Sequence, residues 1–132
     1  MSGDAFFDTN VPLYLLSTDS ARCARAEDLL AEGGTISVQV LNEFAAVARR
    51  KHALPWPAIE DLLAGLKQMC RVLPLTLAMH ERAIRISRRF GLHVYDSTIV
   101  ASALEAGCST LYTQDLQHGQ RLEGLTVLDP FR

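Results

Sequence analysis

The sequence predicts an α/β fold with a parallel sheet, and three observations carry the expectation. Short apolar or β-branched runs recur along the chain, and segments with helical periodicity separate them. Acidic residues stand at or just after the ends of two of the runs and near the start of two helices, where ligands of open α/β sheets bind.

The first run, Ala5-Phe6-Phe7, is long enough for a buried strand. Asp8 ends it, Asn10 offers a helix cap, and Pro12 falls in the first turn, where its missing N–H does no harm. A second helix is expected over Ser20 to Glu32, capped by Thr18 or Asp19, with Ala24, Leu29 and Leu30 inward and Gly33-Gly34 as its stop. Thr35-Ile36-Ser37-Val38 reads as the second strand. The helix from Val38 to about His52 carries Val40, Leu41, Phe44, Ala45, Val47 and Ala48 on one apolar arc, and Glu43 sits at the rim of that arc.

Leu54-Pro55-Trp56-Pro57 breaks the chain before an amphipathic helix over Ala58 to Met69, with Trp56 read as a packing residue. Arg71 to Thr76 is a strand, and Pro74 argues for an edge position or a strand end. The next helix runs to Phe90 and ends at Gly91, with Arg82, Arg85 and Arg89 on one face and Ala83, Ile84 and Ile86 on another. Tyr95-Asp96-Ser97 opens a helix to about Ala106. Its buried stripe of Ile99, Val100, Ala103 and Leu104 extends back onto Asp96, while Thr98, Ser102 and Glu105 lie opposite. A carboxylate on a buried stripe needs donors, a cation or a place at the helix mouth. Ser109 to Thr113 is a strand followed by Asp115, to which Thr113 can hydrogen-bond, and Thr126-Val127-Leu128 is the last strand.

With 132 residues, 48% hydrophobic and 21% charged, the chain fits a single ordered domain over residues 1–132. No apolar run approaches the ~20 residues that span a bilayer. The N-terminus lacks a signal-peptide pattern, so the cytoplasm is the expected location and no membrane partner is expected. Cys23, Cys70 and Cys108 are far apart without a CxxC pair, which speaks against a disulfide framework or a zinc site. His80 and His93 have no partner at metal-ligand spacing, and no role is assigned to His118. The formal net charge is −2, but with Asp8, Glu43, Asp96 and Asp115 set apart the remainder is net positive. Eleven of the thirteen basic residues are arginine, the side chain suited to bidentate phosphate contacts. They cluster around Arg49-Arg50-Lys51 and from Arg82 to Arg89, which makes Arg49 and Arg85 candidate contacts to the phosphates of a nucleic acid against the plainer reading of a solvated face.

Asp8 and Asp115 after strands, with Glu43 and Asp96 early in helices, can face one carboxyl edge. Four acids in one place raise each other's pKa and call for a counter-charge. Mg²⁺ or Mn²⁺ fits an all-oxygen donor set and supports attack of activated water on a phosphodiester.

The stretches Phe7-Asp8-Thr9-Asn10, Leu41-Asn42-Glu43-Phe44, Tyr95-Asp96-Ser97 and Leu111 to Leu116 together resemble a PIN domain, of the VapC ribonuclease-toxin type. Each is short, but they fall in the family's order and cover essentially the whole chain. The resemblance implies a three-layer sandwich with a central parallel sheet flanked by helices. It also implies a Mg²⁺- or Mn²⁺-dependent endoribonuclease acting on RNA. Asp8, Glu43, Asp96 and Asp115 would be its catalytic acids, with Asp8, Asp96 and Asp115 as metal ligands and Thr9, Asn10 and Thr113 in support. A homodimer and a cognate VapB-type antitoxin are implied as partners. Some relatives carry a further acid after the last motif, where this chain has Gln117 and His118. A phosphate-transfer domain of the haloacid dehalogenase type would want a carboxylate where Asn10 stands. A receiver domain would need a lysine after a late strand, and the chain has only Lys51 and Lys67. A catalytically silent PIN-like module that binds RNA or a partner is the remaining alternative.

Overall fold

The computed structural model describes residues 4–132. Its six strands are β1 (Ala5–Phe7), β2 (Gly34–Ser37), β3 (Cys70–Leu73), β4 (Thr110–Tyr112), β5 (Arg121–Leu122) and β6 (Leu125–Leu128). They form one sheet in the order β3-β2-β1-β4-β6-β5. Every neighbouring pair is parallel except the β5–β6 pair. The expected parallel sheet therefore carries one antiparallel edge strand. That strand follows from Glu123 and Gly124, whose φ values of 51° and 91° make the tight two-residue turn of a hairpin.

Six helices flank the sheet: α1 (Asn10–Leu13), α2 (Ser20–Glu32), α3 (Val38–Arg50), α4 (Trp56–Met69), α5 (Leu77–Phe90) and α6 (Val94–Glu105). A single 3-10 turn over Tyr14–Leu16 follows α1. Asp19 caps α2 by accepting from the Arg22 N–H, and the Thr76 hydroxyl caps α5 through the Met79 N–H. Gly91, at φ 69°, ends α5 in the left-handed conformation that favours glycine. Among the described residues no helix is long and apolar enough to cross a membrane.

The core lies between the sheet and its helices. Phe6, Ile36, Leu111 and Val127 come from the strands, and Leu30, Phe44, Ala48, Ile86 and Val100 from the helices. Burial of a Phe or Ile contributes roughly 1.5–3 kcal/mol, enough for Phe6 and Phe7 to fix β1 even though an acid follows them. Gly34 is required by close packing. A Cβ there would stand 2.6 Å from the Phe7 ring and 2.9 Å from the Ala5 carbonyl oxygen.

Several expectations change in detail. Thr9, not Asn10, precedes α1, and no side chain caps that helix. Ala26 rather than Ala24 faces inward on α2, and Val38 opens α3 instead of closing β2. Trp56 begins α4 and is 53% exposed, with the Arg49 guanidinium 5.2 Å from its ring centroid, so it is no core residue. Ile84 is exposed, whereas Ser102 is fully buried, its small side chain against Met79 of α5. His93 caps α6 by accepting from the Tyr95 N–H. Pro74 follows β3, and β3 is an edge strand as expected.

Candidate active site

Chain direction across the sheet reverses at β1, which lies between β2 and β4. Successive connections run one way through β2 and β3, and the other way through β4 and β6. Such a switch point opens a crevice at the carboxyl ends of the strands. Asp8 follows β1 there, and Thr113 and Asp115 follow β4, joined by the Asp8 N–H donating to the Tyr112 carbonyl at 3.0 Å.

Asp8 is 5% exposed, yet two donors hold its carboxylate. The Thr9 N–H donates to Oδ1 at 2.7 Å, and the Thr113 hydroxyl donates to Oδ2 at 2.7 Å. Thr113 is the hub. Its Oγ1 also accepts from the Asp115 N–H at 3.0 Å and the Asn10 amide at 3.3 Å. Its hydroxyl thus serves Asp8, not the Asp115 carboxylate as sequence spacing suggested. Glu43 on α3 is aimed by Thr9, whose hydroxyl donates to Oε1 at 2.7 Å. One threonine therefore touches two of the acids.

The four carboxylates line one cleft of about 200 Å³. Asp8 is buried, Glu43 and Asp96 half-buried, and Asp115 exposed. Desolvation, against the lowering influence of Thr113 and Thr9 and with the charges of Asp115 and Glu43 adding to the rise, pushes the Asp8 pKa up to about 7. Burial also raises Asp96, with Asp115 and Glu43 adding to the rise and His93 opposing it. Each raised acid feels the same two neighbours, which makes the cleft one electrostatic unit.

This donor set has the chemistry of a hard cation site, all oxygen and with uncompensated negative charge. As the side chains are placed, no group of three or more His, Cys, Asp or Glu among the described residues could hold a metal ion.

Sequence reading missed Gln39. It is buried at the edge of the apolar arc of α3, and its amide reaches Glu43 Oε1 at 3.5 Å and the Tyr95 carbonyl at 3.4 Å. Its place one helical turn before Glu43 was the available signal. Neither Arg49 nor Arg85 lines the cleft. Arg49 donates to the Leu54 carbonyl, and Arg82 and Arg89 are held by Glu105 and Glu123. From the first basic cluster it is Lys51, with His52, that borders a hollow of about 260 Å³ sharing Asn10 and Leu13 with the acidic cleft.

Thr113→Val keeps the shape but removes the hub. Losing the hydrogen bond to a buried charge should cost about 1.5–3 kcal/mol at pH 8, read from denaturant unfolding. An unchanged midpoint would mean that the hydroxyl does not support Asp8.

A parallel sheet with acids gathered at its switch point is the architecture of the PIN domain. The chain belongs to that family: residues 5–121 match the PIN domain model. Among solved structures it is similar to a toxin–antitoxin complex from Klebsiella pneumoniae, with a TM-score of 0.73 and 21% identity over 96% of this chain and 97% of that one. It is similar to Mycobacterium tuberculosis VapC20, a sarcin-ricin loop cleaving toxin, with a TM-score of 0.69 and 24% identity over 84% and 89% of the two chains. DNA-bound VapBC from Salmonella typhimurium gives a TM-score of 0.71 and 20% identity over 96% and 98%. At these identities the likeness is one of fold. The comparison with curated proteins gives no match.

Proposed function

We propose that this PIN domain is a Mg²⁺- or Mn²⁺-dependent endoribonuclease, the toxin of a type II toxin–antitoxin pair. The observation that carries the reading is the single cleft lined by Asp8, Glu43, Asp96 and Asp115 at the sheet's switch point. Asp8, Asp96 and Asp115 would hold the cation, with Thr9, Asn10 and Thr113 supporting them. A bound hard cation would supply activation of water and stabilisation of the leaving oxygen. The chain's own residues do the rest. Thr113 and Thr9 fix the Asp8 carboxylate, and Thr9 orients Glu43 through Oε1, leaving Oε2 to take a proton from the attacking water. A VapB-type antitoxin is supported by the neighbours' being toxin–antitoxin complexes, and a homodimer rests on the family resemblance.

The purified chain, free of other proteins, should cleave RNA in Mg²⁺ or Mn²⁺ and stop when EDTA is added. Cleavage that persists in EDTA would overturn the metal-dependent reading. RNA binding without cleavage across a broad pool would favour the silent module, and growth arrest on expression, abolished by Asp8→Asn, separates that module from an enzyme with a narrow target.

The basic clusters predict a second result. If Arg49, Arg85 or Lys51 contacts the RNA backbone, its replacement by Ala should make the slope of log affinity against log salt shallower by roughly one phosphate contact. From the geometry, Lys51→Ala should show the change. An unchanged slope would return that side chain to a solvated face.

A further inference from the structure

The acidic cleft has a larger neighbour. A cavity of about 470 Å³ shares Gln39, Glu43 and Tyr95 with it, so any group seated in the cavity lies beside the acids. Its walls are largely apolar, with Leu75, Met79, Val94 and the Tyr95 ring. Among the described residues no lysine or arginine lines it, so it is not built to take a phosphate. Asn42, His80 and Thr98 supply a few side chains that can donate and accept hydrogen bonds. Tyr95 is 67% exposed and stands directly before Asp96, its ring 5.3 Å from that of His93. An exposed aromatic pair beside an apolar hollow with sparse polar groups is the kind of surface on which an unstacked base rests.

We infer that this cavity is a nucleobase subsite: it takes an unpaired base of the RNA whose backbone crosses the acidic cleft. The inference rests on the ribonuclease reading for the identity of the polymer. The cavity is joined to the cleft through Glu43 and Gln39, so the base would belong to a nucleotide adjoining the scissile phosphodiester. Tyr95 would stack on it, and Asn42 and His80 would meet its edge. The site would thereby favour RNA with an unpaired nucleotide next to the cleaved bond. The opening is also rimmed by Leu75, 45% exposed, and Val94. A protein partner covering this rim is the competing occupant, and the test is built to reveal it.

The test is an NMR titration of the full chain in EDTA with adenosine and uridine 5′-monophosphates, with ribose 5-phosphate as the base-free control. Nucleotides should move the amide signals of Asn42, His80, Tyr95 and Thr98, while ribose 5-phosphate leaves them in place. Tyr95→Ala should weaken nucleotide binding roughly 5- to 100-fold, the range for loss of one base–aromatic stack. Tyr95→Phe, which keeps the ring, should restore it. Equal shifts with ribose 5-phosphate, shifts confined to other parts of the chain, or no shift at tens of millimolar would each overturn the subsite. Signals at Leu75, Val94 and Tyr95 that move on dilution and ignore nucleotide would assign the cavity to a second copy of the chain. Cleavage is measured separately on a pool of short RNAs. Base binding without cleavage would count against the ribonuclease reading alone, and cleavage without base binding against the subsite alone.

Discussion

Asp8→Asn is expected to lower RNA cleavage by on the order of 100-fold or more, since loss of a residue that merely supports a metal ligand already costs ~10–100-fold. The substitution acts on the site and spares the backbone. Asn Oδ1 can still accept from the Thr9 N–H, but its amide would face Thr113 Oγ1. That oxygen already accepts from Asp115 and Asn10, and its own proton would lose its acceptor. One charge is removed and one buried donor stranded, while Phe6, Phe7 and the parallel pairing of β1 remain. The measurement is kcat/KM on a defined RNA, with circular dichroism to confirm the fold. Glu43→Gln should impair turnover as well, and RNA binding should survive both changes. A loss of less than about 10-fold for Asp8→Asn would reduce Asp8 to a structural group.

In EDTA the chain should lose stability as pH rises from about 4 to about 7. The buried Asp8 keeps its proton up to about pH 7, against an ordinary value of 3.8. Within that window the native state holds a proton that the unfolded chain has released, so stability falls with rising pH and levels off above it. The full window corresponds to roughly 4 kcal/mol, taking each pH unit as somewhat over ~1 kcal/mol. Asp96, raised for the same cause, changes stability in the same direction. A bound cation would take over the role of the proton, so on the proposed reading Mg²⁺ should flatten the profile. With a dissociation constant near ~1 mM, about 5 mM Mg²⁺ should stabilise the native state by about 1 kcal/mol, and Asp96→Asn should remove most of that gain. Denaturant unfolding at pH 5, 6, 7 and 8, with EDTA and then with Mg²⁺, checks both. Stability independent of pH in EDTA would show that the Asp8 carboxylate is not held in the desolvated state described.

Much of the site was legible because its residues break local rules. Asp8 interrupts an apolar run, and Asp96 occupies a buried stripe where an apolar residue would pack, so each asks for a partner that local structure does not supply. The parallel strands were legible for a related reason: five short apolar runs separated by helical periodicity leave few other arrangements. What was hidden depends on tertiary contact. Ser102 is polar by type but small enough for the α5–α6 contact, so helical position alone put it on the wrong side. Gln39 is buried because it reaches Glu43 and the Tyr95 carbonyl, a bond across 56 residues that no local pattern reports. Thr113 was tied to Asp115, its neighbour in sequence, but pairing of β1 with β4 brings it to Asp8. Strand β5, two residues long, carries too little pattern to be seen beside its turn.

The central claim is that the four acids act as one hard-cation site, and substoichiometric Mn²⁺ tests it most directly. Paramagnetic broadening of amide signals reports where the ion sits, independently of any substrate. The account predicts that the amides around Asp8, Thr9, Asp96, Thr113 and Asp115 broaden first, that excess Mg²⁺ restores them, and that Asp8→Asn weakens the effect. Broadening centred elsewhere, or an Asp8→Asn protein that broadens like the wild type, would contradict it.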